Sequence, residues 1–431
     1  MNTEMNRRQF LGGALAGGAA VSLGLASAAR AQSPNNQIVV GVMGLSRGAR
    51  LARQFAEEPN CVVKYVCDVD RRRADECAAA VAEVTDSSPE PLQDFRRMYD
   101  DPEVDAVAMA LPVHWHAPAA ILALKAGKHV YVEKPCCHNP REGELLVEAA
   151  RKYGKAVQMG NQRRSWPAVR EAMQRLHEGE IGNVYYSRCW YADTRGSIGR
   201  GQDFELLEHI DYDLWQGPAP RRPLKDNIVH YNWHWFWHWG SGESGNSAPH
   251  TIDLCRWGLN VDYPVRAASV GGRYVFDDDQ ETPDTHVITF DFPGGKTITW
   301  EGVSCNRLGI DGARLGAAFM GDEGALVIDD NHNGGYAIHD LQGREIERVD
   351  GVQGDQPHIA DFLDAIRNDA PLDLNSEIEE GYKTTLLPLL GNIAHRTGRS
   401  LTCGEQGRIV GDAEAEALWS REYEPGWAPE V

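Results

Sequence analysis

A chain of 431 residues is too long for one small hydrophobic core and suits two domains of ordinary size. Its 42% hydrophobic and 25% charged residues exclude a disordered or fibrous chain. The formal net charge of -20 repels phosphate backbones and anionic lipid, which argues against nucleic-acid and membrane-surface partners and suits a neutral substrate such as a sugar.

Residues 1–31 read as a targeting segment. Asn6-Arg7-Arg8-Gln9-Phe10-Leu11 resembles the twin-arginine export motif, an Ala/Gly-rich apolar stretch runs from Leu11 to Ala29, and Ala29-Arg30-Ala31 is an A-x-A cleavage site. The stretch is too weakly hydrophobic for a membrane anchor and lacks a stop-transfer flank, so the mature protein is expected to be periplasmic or secreted, without a membrane span. Cleavage removes Arg7, Arg8, Arg30 and Glu4 and takes the charge to -22. The nine cysteines form no C-x-x-C pair and show no metal-ligand spacing, so buried free thiols and no metal are expected.

From Ile38 short apolar runs alternate with helical periods. Strands are expected at Ile38–Met43, Cys61–Asp68, Asp105–Leu111, His129–Val132 and Ala156–Gly160, and helices at Ala49–Phe55, Arg71–Val84, Ala117–Ala126 and Arg141–Tyr153. This alternation predicts a doubly wound parallel sheet over residues 32–161. After Gly160 a helix, Ala168–Glu178, precedes longer alternating strands at Val184–Tyr191, Val265–Tyr274, Thr285–Asp291, Lys296–Val303, Ala317–Met320 and Ala325–Asp329. They predict a second α/β domain, residues 162–345, with a large open, mostly antiparallel sheet whose face can line a site. Residues 196–246, rich in Gly, Pro, Trp and His, lack periodicity; irregular segments of that length are usually functional. Residues 346–431 carry helices His358–Asn368 and Ile378–Thr397 and an extended tail, and are expected to pack back on the core.

The first strand feeds Gly44-Leu45-Ser46-Arg47-Gly48 and then a helix, a geometry that presents backbone N–H groups to a pyrophosphate. Ser46 stands where G-x-G-x-x-G has its middle glycine. Asp68 ends the second strand, where a carboxylate accepts hydrogen bonds from an adenosine ribose and repels a 2′-phosphate. NAD is therefore expected over NADP, with Arg71-Arg72-Arg73 keeping NADP open. In Gly127-Lys128-His129-Val130-Tyr131-Val132-Glu133-Lys134-Pro135, Lys134 sits at the carboxyl end of a parallel strand, where an ammonium can polarise a hydroxyl or carbonyl oxygen.

With the twin-arginine leader, Cys67-Asp68, and Pro112 with His116, these motifs resemble the Gfo/Idh/MocA oxidoreductases. The similarity extends through Gly160-Asn161-Gln162-Arg163-Arg164, Gly179-Glu180-Ile181-Gly182, Asp253-Leu254 with Arg256-Trp257, and Gly391-Asn392-Ile393-Ala394. It implies a Rossmann domain followed by an α/β domain whose open sheet builds a homo-oligomer. It carries the cofactor onto Gly44, Ser46, Arg47, Gly48, Asp68, Pro112, His116, Glu133, Lys134 and Gln162. Val113 stands where relatives often have Asn or Asp. The family's lysine, aspartate and histidine correspond to Lys134, Asn246 and His250, so an amide replaces a carboxylate. Positions 246, 250 and 253 share one helix face. His250 is the candidate proton acceptor, and Lys134 would polarise the same oxygen. Asn246 can orient a hydroxyl or His250 but carries no proton or charge. Asp253 reads either as a partner on the substrate side or as a capping or packing residue.

The run Tyr231-Asn232-Trp233-His234-Trp235-Phe236-Trp237-His238-Trp239 offers stacking faces for a pyranose or packs the core, with His234 and His238 as candidate polar contacts. Arg164 is expected either to reach the crevice or to form a salt bridge. The leading expectation is an exported oxidoreductase moving hydride between a sugar or polyol hydroxyl and a tightly bound NAD. Two alternatives stand beside it: redox-neutral glycoside cleavage by oxidation, elimination and reduction, and a silent sugar-binding protein on the same fold.

Overall fold

A computed structural model of the chain describes residues 36–85, 87–205 and 207–431; the export leader lies outside the described residues. The first sheet contains β1 (Ile38–Met43), β2 (Cys61–Cys67), β3 (Glu90–Leu92), β4 (Ala106–Met109), β5 (His129–Val132) and β6 (Val157–Met159). Their order is β3-β2-β1-β4-β5-β6, with every pair parallel. Strand order therefore reverses between β1 and β4, and a crevice opens beyond their carboxyl ends. The short edge strand β3 had no sequence signal, because Glu90 and Pro91 are exposed and proline is tolerated only at an edge.

Helix α1 (Arg47–Glu57) buries Leu51, Ala52 and Phe55 on one face, as its spacing dictates. Helix α2 (Arg71–Ala82) opens on Asp70, whose side chain accepts from the Arg72 N–H. Helix α3 (Val113–Lys125) begins four residues before the expected Ala117, so His114 and His116 fall in its first turn. This helix is buried on nearly all sides, so polar histidines inside it mask its start.

The second sheet is ten-stranded: β7 (Val184–Thr194), β8 (Arg266–Gly272), β9 (Thr285–Phe292), β10 (Lys296–Val303), β11 (Cys305–Asn306), β12 (Leu315–Gly321), β13 (Ala325–Asp329), β14 (Tyr336–His339), β15 (Glu345–Val349) and β16 (Leu401–Thr402). Its path is β15-β14-β13-β12-β7-β10-β9-β8-β16, with β11 on β7, and only the β7–β10 pair is parallel. Strand β9 alternates strictly, burying His286, Ile288, Phe290 and Phe292. Strand β15 is almost wholly exposed, so no apolar alternation announces it.

Three helices join the domains. Helix α4 (Pro140–Tyr153) packs against α3, and the long α5 (Ile378–Thr397) packs against both α4 and β8. The helix between them in the chain, Gln356–Arg367, returns to the far face of the first sheet, where Ile359, Phe362 and Leu363 join Val42, Phe55 and Tyr131. One continuous core runs from Met43 and Val132 to Phe290 and Leu386. All nine cysteines are free thiols, eight of them buried.

Candidate active site

A cavity of about 730 Å³ opens beyond β1, β4 and β5 and is walled on its other side by the second domain. Gly44 stands at its base with φ +78°, and a Cβ there would lie 2.5 Å from the Ala110 carbonyl oxygen. Only glycine serves where β1 and β4 approach this closely and the turn is left-handed. Ser46 precedes α1 without a side-chain cap, which leaves that terminus to an external anion. Asp68 also lines the cavity; its carboxylate accepts from the N–H groups of Leu45 at 2.7 Å and Asp70 at 2.9 Å. Burial raises the Asp68 carboxyl above its ordinary value. A nicotinamide dinucleotide fits this donor and acceptor set: the N–H groups of Ser46 and Arg47 for a pyrophosphate, and Asp68 for ribose hydroxyls.

Arg47, the first residue of α1, is held from two sides. It donates to Glu133 at 3.0 Å and through two nitrogens to Asp355 at 2.8 and 3.1 Å. Gln162 also donates to Glu133, at 3.1 Å. Asp355, immediately before the helix Gln356–Arg367, was not expected from the sequence. Gly160 allows the Glu133 carboxylate to pass, since a Cβ there would lie 2.9 Å from its oxygen.

Lys134 leaves β5 into the cavity, and its Nζ donates to Asn246 twice, to the backbone oxygen at 2.6 Å and to Oδ1 at 3.3 Å. Asn246 ends a short helix, Gly242–Asn246, and His250 lies in the first turn of the next, Pro249–Leu259. Both line the cavity with Lys134. Burial pushes the His250 imidazole well below the ordinary histidine range, helped by the positive charges of Lys134, Arg163 and Arg47. It is therefore a neutral imidazole that can accept a proton. Burial also lowers the Lys134 ammonium, while Glu133 and Glu243 hold it up.

His116 bonds the Pro135 carbonyl oxygen through Nδ1 at 2.6 Å, and burial pushes it down to about 4. His234 bonds the Tyr231 carbonyl oxygen at 2.6 Å and stacks on Trp233, with ring centroids 3.6 Å apart. Tyr231, Trp233 and His234 line the cavity with Trp115 and Trp166. The rest of the aromatic run turns away: Phe236 and Trp239 join Tyr212, Trp215 and Ile228 in a separate small core.

Four expected site residues lie outside the cavity wall. His238 is spent on the Pro220 carbonyl oxygen at 2.8 Å. Gly48 sits behind the turn, its N–H donating to the Gly44 carbonyl oxygen at 3.1 Å. Arg164 and Asp253 are buried against each other, with Nε–O distances of 3.0 and 2.8 Å, and the Thr384 hydroxyl donates to the same carboxylate at 2.7 Å. Their charges are consumed by this pair, and neither side chain lines the cavity. Sequence reasoning missed Glu243, a buried carboxylate that accepts from the Asn246 amide at 3.1 Å.

Comparison with known proteins agrees with the fold. Residues 36–161 match the model of an oxidoreductase family with an NAD-binding Rossmann fold, and residues 201–428 match that family's C-terminal α/β domain. The chain belongs to the Gfo/Idh/MocA oxidoreductase family. Residues 4–24 match a twin-arginine translocation signal sequence. The chain is 29% identical over 382 residues to the uncharacterised oxidoreductase YrbE of Bacillus subtilis, covering 87% of this chain and 95% of that one. It is 30% identical over 165 residues to levoglucosan dehydrogenase of Pseudarthrobacter phenanthrenivorans, spanning 38% of this chain and about a third, 35%, of that relative. The fold is shared with aldose-aldose oxidoreductase of Caulobacter crescentus, crystallised with glycerol: TM-score 0.64, 19% identity, covering 85% of this chain and 99% of that one. Among the described residues no helix is long and apolar enough to cross a membrane, and no group of three His, Cys, Asp or Glu side chains is placed to hold a metal.

Proposed function

We propose that this protein is an exported dehydrogenase that moves hydride between a sugar or polyol hydroxyl and an NAD it carries with it. The observation that carries this reading is the convergence of Lys134, a neutral His250, the Gly44 turn and Asp68 on one cavity. Bound NAD supplies the hydride acceptor. His250 takes the hydroxyl proton, and a Lys134 N–H stabilises the negative charge that develops on that oxygen. Tyr231, Trp233 and Trp166 line the cavity with aromatic rings, a surface that suits the C–H groups of a sugar.

Retention of the cofactor is supported by a strap from the second domain. Ile210 bridges to Asp70, the Arg71 N–H donates to the His209 carbonyl oxygen at 3.0 Å, and the Asp211 N–H to that of Val69 at 3.0 Å. Gln93 ties Val69 and His209 together, donating at 2.9 and 3.2 Å, and His230 lies 3.2 Å from Asp70. These contacts lie at the Asp68 end of the cavity, which Val69, Gln93 and His230 line and where the adenosine half would lie. Protein purified from the exported fraction is expected to release about one nicotinamide dinucleotide per chain on denaturation. A panel of sugars and polyols should then reduce the bound cofactor, read by nicotinamide fluorescence. Empty protein would sink the carried-cofactor reading, and bound NAD that no polyol reduces would sink the substrate reading.

The two shifted groups set the pH profile. Oxidation needs His250 neutral, so activity is lost only as pH falls through its depressed value, well below the ordinary histidine range. It needs Lys134 charged, so activity is lost as pH rises through a value below the ordinary lysine range. The expected kcat/KM profile is a plateau through neutrality with its acid limb displaced to low pH. An acid limb at the ordinary histidine value would show that burial does not depress this imidazole, and an acid limb that persists in His250→Gln would remove His250 as the base.

A further inference from the structure

Asn246 beside Lys134 carries no charge, yet a carboxylate stands one contact further from the lysine. Glu243 lies three residues before Asn246 in the same short helix and is buried, its side chain 2% exposed. Its Oε1 accepts from the Asn246 Nδ2 at 3.1 Å and from the Ser247 hydroxyl. Arg195 donates to both of its oxygens, at 3.2 Å from Nη2 and through Nε. Arg195 also donates to the hydroxyl of Tyr231, a cavity residue, at 2.9 Å.

This chain of contacts has one permitted polarity. An ammonium only donates and an ionised carboxylate only accepts. Asn246 lies between the two, so its Oδ1 must face Lys134 and its NH₂ must face Glu243. Two of the three Lys134 protons are taken by Asn246, and the third remains for a substrate oxygen. We propose that Glu243 is the positioning residue of this site: it fixes the Asn246 amide and, through it, the direction of the Lys134 ammonium, and it supplies the negative charge that Asn246 lacks. The proposal rests on the dehydrogenase reading for its kinetic consequence, but not for its structural one.

Other charges also face Lys134. Glu133 and Arg47 approach from the first domain, and Arg195 from the second. The neutral imidazoles of His116, His234 and His250 complete its surroundings. Arg195 is balanced by Glu243, so removing that carboxylate leaves a second cation in play near Lys134.

Three variants test the proposal: Glu243→Gln, Asn246→Asp and the double variant. In Glu243→Gln the Lys134 ammonium loses one of its two nearby anions, Glu133 remaining, and its titration, followed by lysine-selective NMR of the holoprotein, should move down by about one pH unit. The basic limb of kcat/KM should move with it. Asn246→Asp sets two carboxylates at hydrogen-bond distance with only one proton to share, so kcat should fall at least about tenfold. The double variant restores one negative charge, now directly on Lys134. It should return to within about threefold of the parent, a coupling that independent sites do not show.

Losses that multiply in the double variant, or a Lys134 titration that Glu243→Gln leaves in place, would overturn the proposal. Cofactor content is measured on every variant. Failure of the dehydrogenase reading shows as an unreactive parent, whereas failure of this inference shows as an unmoved lysine in a protein that still holds NAD.

Discussion

Lys134→Met is expected to lower kcat about a hundredfold to a thousandfold while leaving bound NAD and thermal stability nearly unchanged. The rate loss is that of one hydrogen-bond donor aimed at a developing oxyanion in a water-poor site. The ammonium is buried and its charge costs desolvation, so an apolar side chain of similar length relieves that cost. Glu243 remains paired to Arg195, so no carboxylate is stranded. Turnover on the best polyol, cofactor released on denaturation, and Tm form the test. A variant within about threefold of the parent in kcat would remove Lys134 from the chemistry. A variant that loses NAD would make it a cofactor anchor instead.

The first domain was legible because its signals are local. A continuous apolar strand, a glycine with no room for a Cβ, and an acidic residue ending the next strand each depend on a few neighbours in sequence. All three point to the reversal of strand order where a dinucleotide binds. Lys134 was legible for the same reason, lying at the end of β5.

What the sequence could not show is how charges are spent. Arg164 and Asp253 look available in a motif, but they are 89 residues apart and neutralise each other in the core. His238 and His234 stand four residues apart in one aromatic run, yet one bonds Pro220 and the other lines the cavity. Glu243 was hidden by the expectation that the carboxylate belongs at position 246. Only the fold shows that the charge lies one hydrogen bond further away. The edge strands β3 and β15 were missed on different grounds, since neither buries enough apolar surface to leave an alternating pattern.

Asp253→Ala is expected to destabilise the protein by about 3–5 kcal/mol, because it leaves the Arg164 guanidinium buried without its main counter-ion. The Arg164 side chain is only 7% exposed, and its remaining anionic neighbour, Glu380 at 3.7 Å, is already engaged by Arg256 and Lys383. The Thr384 hydroxyl loses its acceptor as well. A domain with the usual margin of about 5–15 kcal/mol would keep little of it, so a large fall in Tm or loss of soluble protein should follow. Replacing both partners, as Arg164→Met with Asp253→Leu, removes the stranded charge and should restore most of the stability. That double variant also separates structure from chemistry. If Asp253 only holds the fold, it turns over substrate at nearly the parent rate. If instead Asp253→Ala stays folded with an unchanged Tm but loses turnover, the carboxylate belongs to the reaction, and the buried pair is a means of orienting it toward His250.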